Sequence, residues 1–316
     1  MAKIKQARDN IQDEVNRTPT IYSLPLSRKV NREIHLKLEN LQVTQAFKAR
    51  GNANKLKLLG PDERKKGVIT ASSGNHGLGL SLAAKRNELE AIVVVPEVAP
   101  TTKIKHIKEN GAQIIVKGAT YDDAAEHAHQ LEEKKGYTYV QSFDDLDIIA
   151  GNGSMGLEIL EDVSNTDLII APIGGGGGIS GISLAVKQIK PEMQVIGVEA
   201  ANAPSMKKSI EAGEVKELPS ADTFADGIAV KKPGKVTFPI VREYVDQIVT
   251  VSEAKMKSAV RLLATEAKTI AEAAGAASVA ALFSNKIDLQ EAENIVCVIS
   301  GGNIDQEDLL EILKKR

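Results

Sequence analysis

Four short strings in this 316-residue chain carry residue types that could do chemistry, and they come in a fixed order. QAFKARGN runs from Gln45 to Asn52, SSGNHGLG from Ser72 to Gly79, GGGGG from Gly174 to Gly178 and SGGN from Ser300 to Asn303. They supply an amine, a loop of hydroxyls and amides, a run of bare backbone and a further hydroxyl. Together these are the parts needed to hold and use a phosphorylated aldehyde: an amine to capture it covalently and glycines to cradle its phosphate.

The glycine run is the most physically explicit. Each of Gly174, Gly175, Gly176, Gly177 and Gly178 loses more backbone freedom on folding than any other residue would, so the bare backbone must be needed there. The run follows the apolar stretch Leu168 to Ile173, interrupted only by Pro172. It precedes Ile179 to Ile189, where Ile182, Val186 and Ile189 fall at helical spacing. Strand, glycine loop, helix is an arrangement in which N–H groups and the helix dipole converge on a phosphate. The run matches neither the triphosphate-binding G-x-x-x-x-G-K-S/T loop nor a dinucleotide fingerprint followed by a ribose-binding acid, so a small phosphate monoester fits better. A flexible linker would carry polar residues instead of lying between two apolar segments.

Lys48 is one of 40 Lys and Arg residues, and a lysine is ordinarily a solvated surface charge. Its setting differs. The strand Ile34 to Leu38 alternates apolar and polar, and Lys48 follows Phe47 where the chain turns into the helical segment Ala49 to Leu59. A lysine beside an aromatic at the start of an element is partly desolvated, which lowers its pKa and frees the amine to form a Schiff base.

The elements that position these strings alternate along the whole chain. Strand-like runs at Val68 to Ala71, Ala91 to Val95, Gln113 to Val116, Leu168 to Ala171, Gln194 to Val198 and Ile295 to Ile299 are separated by helical patterns. This predicts an α/β protein with open, mostly parallel sheets, helices on both faces and ligands at the carboxyl ends of strands. The three later strings each sit just after such a strand. A net charge of −2 gives no support for binding to nucleic acid or a membrane surface, and no apolar run approaches the ~18 residues of a membrane span. The N-terminus, MAKIKQARDNIQDEV, is charged throughout. Cys297, the one cysteine, lies inside an apolar run, so it reads as a small core side chain and a reducing cytoplasm is the expected home. The five histidines show no zinc spacing and read as solvated surface.

These strings resemble those of the fold type II pyridoxal-phosphate enzymes, the tryptophan synthase beta-like architecture, and within them the threonine/serine dehydratase and serine racemase branch. The resemblance runs from RTP at Arg17 to Pro19 through LKLENLQVTQAFKARGN, SSGNHG, SFDDLDIIAGNG at Ser142 to Gly153 and the glycine loop. It continues in FADGIAVKKPG at Phe224 to Gly234 and VISGGNID at Val298 to Asp305. Cysteine synthases carry a T-S-G-N-T loop instead, and threonine synthases usually have an aspartate where this chain has Ala49.

The resemblance implies pyridoxal 5′-phosphate as cofactor and β-elimination of water from L-threonine or L-serine, giving a 2-oxo acid and ammonia. The alternatives are a serine racemase, or a dehydratase of 3-hydroxyaspartate or phenylserine. A cofactor-binding regulator is the non-enzyme reading, but phosphate binding alone needs none of Lys48, Asn75 and Ser300. The resemblance further implies a large cofactor-binding domain from residues 1–66 and 144–316 and a small inserted domain from 67–143. It also implies a homo-oligomer, dimer or tetramer, and no effector-binding domain beyond Arg316.

Carried over residue by residue, the resemblance makes Lys48 the cofactor-bearing amine and the base that removes the Cα proton. Phe47 lies against the cofactor ring, Asn75 bonds its phenolic oxygen, Gly174, Gly175, Gly176 and Gly177 hold its phosphate, and Ser300 meets its pyridine nitrogen. A neutral hydroxyl at that nitrogen makes the ring a weaker electron sink than a carboxylate would, favouring prompt loss of the β-leaving group. Ser72, Ser73, Gly74 and His76 bind the substrate carboxylate through loop donors, and Glu272, in EAAGAA, lies near the cofactor and the substrate amine. Ser73 matches the serine that works in racemases as acid and base opposite the lysine.

Four positions depart from the family pattern: Gln45 stands for a glycine, Ala46 for a serine, Gly178 for a larger apolar residue and Ser73 for the alanine of many dehydratases. Racemases of this branch bind a divalent cation through a glutamate, a carbonyl and an aspartate. Glu199 and Ala203 match the first two, but Ser205 replaces the aspartate. Two oxygens plus waters would make only a weak site, and no metal is assigned.

Overall fold

The apolar runs fold into two separate sheets. The computed structural model describes residues 1–99 and 101–314. Its strands are β1 (Thr20–Tyr22), β2 (Glu33–Leu38), β3 (Val68–Ala71), β4 (Ala91–Val95), β5 (Gln113–Val116), β6 (Thr138–Tyr139), β7 (Leu168–Pro172), β8 (Gln194–Ala200), β9 (Gln247–Val251) and β10 (Asn294–Ile299). One sheet has the order β1-β2-β10-β7-β8-β9, the other β5-β4-β3-β6. Every pairing is parallel except that of β1 with β2. The expected mostly parallel α/β architecture is therefore present.

The helices are α1 (Ala2–Ile11), α2 (Leu24–Val30), α3 (Lys48–Lys57), α4 (Pro61–Lys66), α5 (Asn75–Arg86), α6 (Thr101–Glu109), α7 (Tyr121–Lys135), α8 (Leu146–Asp162), α9 (Gly177–Lys187), α10 (Ser205–Ala212), α11 (Thr237–Tyr244), α12 (Glu253–Thr265), α13 (Ala273–Leu282) and α14 (Gln306–Lys314). Helix α13, AAGAASVAAL, is buried at every position, so it has no polar face and no periodic signature. Helix α8 begins where the Asp145 carboxylate accepts the N–H groups of Asp147 and Ile148. It packs on α9 almost backbone to backbone: a Cβ on Gly181 would stand 2.5 Å from the Ile149 carbonyl oxygen.

Strand register explains why distant strings meet. β10 runs beside β2 with Val298 opposite Lys37 and Ile299 opposite Leu38. On its other side Cys297 faces Ile170 of β7. The chain therefore leaves β2, β10 and β7 at the same edge, bringing the Lys48 segment, Ser300 and the glycine run together at carboxyl ends. Pro172 ends β7 opposite Val198, where its missing N–H costs little. The Ser72 loop leaves β3 of the smaller sheet.

Candidate active site

Lys48 opens α3, and its Nζ donates to the Ser142 carbonyl at 2.7 Å. The Phe47 ring centroid lies 5.3 Å from Nζ. Burial pushes the amine down from 10.5 to about 8, as expected for a lysine desolvated beside an aromatic. The segment before it pairs with the Ser300 loop: the Phe47 N–H donates to the Ser300 carbonyl at 3.1 Å and the Gly302 N–H to the Gln45 carbonyl at 2.8 Å. Ala46 and Gly301 form a bridge between them. Gln45 holds φ +58, a left-handed conformation that glycine adopts freely and glutamine only against strain. The 8% exposed Ser300 has no described hydrogen bond to its hydroxyl, which is thus available to a ligand.

The glycine run is bare for two reasons. Side-chain space is already filled: a Cβ on Gly175 would lie 2.4 Å from the Phe143 ring, one on Gly177 2.9 Å from Phe143 and one on Gly178 3.1 Å from the Phe47 ring. Gly176 has φ +98. The donor side is open, since no described hydrogen bond uses the N–H of Gly174, Gly175, Gly176 or Gly177, and α9 starts there with its positive dipole end. Thr237 fixes the loop from behind, its hydroxyl donating to the Gly175 carbonyl at 2.6 Å. Asp144 in turn accepts the N–H groups of Lys235, Val236 and Thr237.

Ser72, Ser73 and Gly74 lead into the N-terminus of α5, half-buried, with the Gly74 N–H donating to Ser72 Oγ at 3.2 Å. No described bond engages the Ser73 hydroxyl. Asn75 Nδ2 donates to Glu272 Oε1 at 2.8 Å, while its Oδ1 accepts from Asn303 Nδ2 at 2.7 Å. Burial, then repulsion from Asp226, pushes the Glu272 carboxyl up to about 7. Lys103 of α6 pairs with Asp226 and lies within electrostatic reach of Glu272. Asn303, Asp226 and Lys103 were not picked out in the sequence. Asn303 lay inside SGGN, but Lys103 carried no local signal at all.

His76 corrects the expectation of a solvated imidazole. Its ring is 4% exposed and turns away from the loop, towards Val140 and Thr70. Any carboxylate binding by His76 falls to its backbone N–H. Behind α3, Arg50 is fully buried and donates to Glu39 and to both oxygens of Glu158, sharing Oε2 with Lys37, which donates to it at 2.6 Å. Burial alone would lower the Arg50 pKa, but the two carboxylates hold it above its ordinary value. This neutral set of two cations and two anions fixes the first turn of α3, and breaking it would leave an uncompensated buried charge.

The Glu199 carboxylate lies at the start of α10. Its two oxygens accept the N–H groups of Met206 at 2.8 Å and Lys207 at 2.9 Å, so it caps α10. Ala203 is buried beside it, its N–H donating to the Ala200 carbonyl. Among the described residues no cluster of metal-ligating side chains occurs, and no helix is long and apolar enough to cross a membrane.

A desolvated amine, a set of unpaired N–H groups at a helix start, the face of Phe47 between them and a buried hydroxyl fit pyridoxal phosphate group by group. The sequence profile of a family described as pyridoxal-phosphate dependent enzyme matches residues 11–301. The chain is 45% identical over 312 residues to the L-threonine ammonia-lyase of Thermotoga maritima, covering 99% of this chain and 77% of that one. It is 40% identical over 308 residues to an L-threonine dehydratase, catabolic TdcB, of Staphylococcus aureus, covering 96% and 89%. Among solved structures it superposes on maize serine racemase with a TM-score of 0.95 at 33% identity, covering 99% of this chain and 96% of that one.

Proposed function

Because the chain belongs to the pyridoxal-phosphate-dependent enzymes of fold type II, we propose that it removes water from L-threonine or L-serine, giving a 2-oxo acid and ammonia. The observation that carries this reading is Lys48. Its amine is desolvated to a pKa of about 8 and lies beside Phe47, whose ring reaches the glycine cradle. The relatives named as threonine ammonia-lyase and dehydratase support the same reaction class.

The residues divide the work as follows. Lys48 would hold the cofactor, the N–H groups of Gly174 to Gly177 would take its phosphate, and Phe47, Asn75 and Ser300 would meet its ring face, phenolic oxygen and pyridine nitrogen. When bound, the cofactor supplies an electron sink for the bonds at Cα. The loop from Ser72 to His76 offers N–H donors to the substrate carboxylate at the start of α5, where the dipole favours an anion. With its amine free, Lys48 would take the Cα proton, and its ammonium form would donate to the Ser142 carbonyl. The departing hydroxide needs a proton, which Lys48 can return, so that water leaves. The enamine product then hydrolyses to the 2-oxo acid and ammonia. Glu272 holds Asn75 in place and offers an acceptor near the substrate amine.

Serine racemisation is the second reading, favoured by Ser73, whose hydroxyl is uncommitted in the loop facing the lysine. The enzyme acts as a cytoplasmic homo-oligomer, and residues 67–143 form an inserted small domain that carries the carboxylate loop.

Purified protein given the cofactor should show a visible absorbance band that L-threonine and L-serine perturb, with 2-oxo acid released. A band unmoved by either amino acid would point to the regulator instead.

A further inference from the structure

We propose that Asn52 and His76 are positioning residues that tie both ends of Lys48, its backbone carbonyl and its side-chain amine, to one frame built on residues 140–142. The inference rests on the reading of Lys48 as the cofactor-bearing base.

The frame closes on itself. Lys48 Nζ donates to the Ser142 carbonyl at 2.7 Å. Two residues earlier, the Val140 carbonyl lies 3.0 Å from His76 Nε2. His76 Nδ1 lies 3.3 Å from Asn52 Nδ2, which also donates to the Lys48 carbonyl at 2.8 Å. A path of contacts thus leaves Lys48 by its amine and returns at its carbonyl.

The chemistry of each group fixes the direction of every bond. A carbonyl only accepts, so His76 Nε2 carries the proton that Val140 receives, and Thr70 Oγ1 donates its own to the same oxygen at 2.9 Å. Nδ1 is then a lone pair and takes one N–H of Asn52, while the other N–H goes to Lys48. Burial, then the nearby Lys48 charge, keeps the ring neutral. Flipping the Asn52 amide would turn its oxygen onto two acceptors. As it stands, Asn52 Oδ1 is buried with no partner, a cost accepted to keep both N–H groups where they are.

Gly79 makes room for this arrangement. It lies inside α5, where glycine is about 1 kcal/mol worse than alanine. A Cβ there would stand 2.7 Å from Asn52 Nδ2 and 3.3 Å from the backbone of both Lys48 and Ala49. His76 therefore has two duties on two sides: its backbone faces the carboxylate loop, and its ring locks that loop to the helix bearing the base.

Two variants test the frame on the full chain stripped of cofactor. Asn52→Asp keeps the size of the side chain but cannot donate to both acceptors. Asn52→Ala/Gly79→Ala refills the vacated space with a methyl group and removes the amide. Readouts are thermal midpoint, the rate at which the stripped chain captures pyridoxal phosphate by visible absorbance, and the His76 tautomer by ¹H–¹⁵N correlation.

The double variant should melt within a few degrees of wild type yet capture the cofactor at least about tenfold more slowly, since displacing a reacting group by ~1 Å costs about 100-fold. Asn52→Asp should capture slowly too and, by setting a carboxylate against Nδ1, draw a proton onto that nitrogen, whereas the double variant should keep the Nε2–H tautomer that the Val140 carbonyl sets. In the reloaded enzymes kcat for L-threonine should fall while KM changes by less than about threefold. Wild-type capture by either variant would overturn the proposal and leave Asn52 a packing residue. If wild type itself captured no cofactor, the functional reading would fail first.

Discussion

Asn75 and Glu272 meet across the two sheets, the amide of one at the start of α5 donating at 2.8 Å to the carboxylate of the other at the start of α13. A carboxyl whose pKa rises on folding, here from 4.5 to about 7, binds its proton more tightly when folded. It stabilises the chain at low pH and loses that contribution as pH climbs from about 4.5 through 7. Glu272→Gln removes this slope. Thermal midpoints of the cofactor-free chain should favour the variant increasingly over wild type across that window, and a constant difference would show that Glu272 titrates normally.

Lys48→Ala should abolish both the visible band and 2-oxo acid release with the far-ultraviolet circular dichroism spectrum unchanged. Covalently held cofactor in the variant would sink the assignment. In wild type, capture of the cofactor by the stripped chain needs the neutral amine, so its rate should climb with pH and reach half its limit near 8. A midpoint above 10, as for a surface lysine, would contradict the burial argument.

Ser73→Ala separates the two activities of the branch. Elimination needs one base on the lysine side, whereas inversion at Cα needs a proton donor on the other. Oxo-acid production should stay within about tenfold, ~1.4 kcal/mol in barrier, while any D-serine formed from L-serine disappears by chiral chromatography. Joint collapse of both would make Ser73 a substrate-binding group.

Gln45→Gly should raise stability. Relief of the left-handed strain at φ +58 is partly offset by the greater freedom of glycine in the unfolded chain, leaving about 0.5–1 kcal/mol. Urea unfolding with an unchanged slope measures it, and a destabilised variant would mean that the Gln45 side chain makes a contact worth more than the strain.

Much of this was legible before any coordinates. Seven expected strands appear within two residues of their anticipated ends, because buried parallel strands such as β10 read as continuous apolar runs. Strands β1 and β6, of three and two residues, are too short to show a period. The glycine run suggested a phosphate cradle, but nothing in the sequence says that Gly175 and Gly177 are also bare because Phe143 lies against them. The buried set of Arg50, Glu39, Glu158 and Lys37 was invisible because charged residues read as surface. The burial of His76 was missed for the same reason: its partners Asn52, Thr70 and Val140 are distant in sequence. Glu199 matched a metal ligand by position, and nothing in the sequence says that it also caps α10.

The order of strands in the larger sheet also governs when the protein can become active during its synthesis. β10, the last of the described strands in chain order, lies between β2 and β7, among the earlier ones. Until residues 294–303 leave the ribosome, β2 has only β1 beside it and β7 only β8, so the two halves of the sheet are not joined, and Lys48 has neither the Ser300 carbonyl behind Phe47 nor the Gly302 N–H on Gln45. The nascent chain can complete the smaller sheet, whose strands are consecutive in the sequence, but the pocket waits for the C-terminal strand. A message that stops before residue 294 would thus yield a chain unable to take up its cofactor, although Lys48 and the whole glycine run had already been translated.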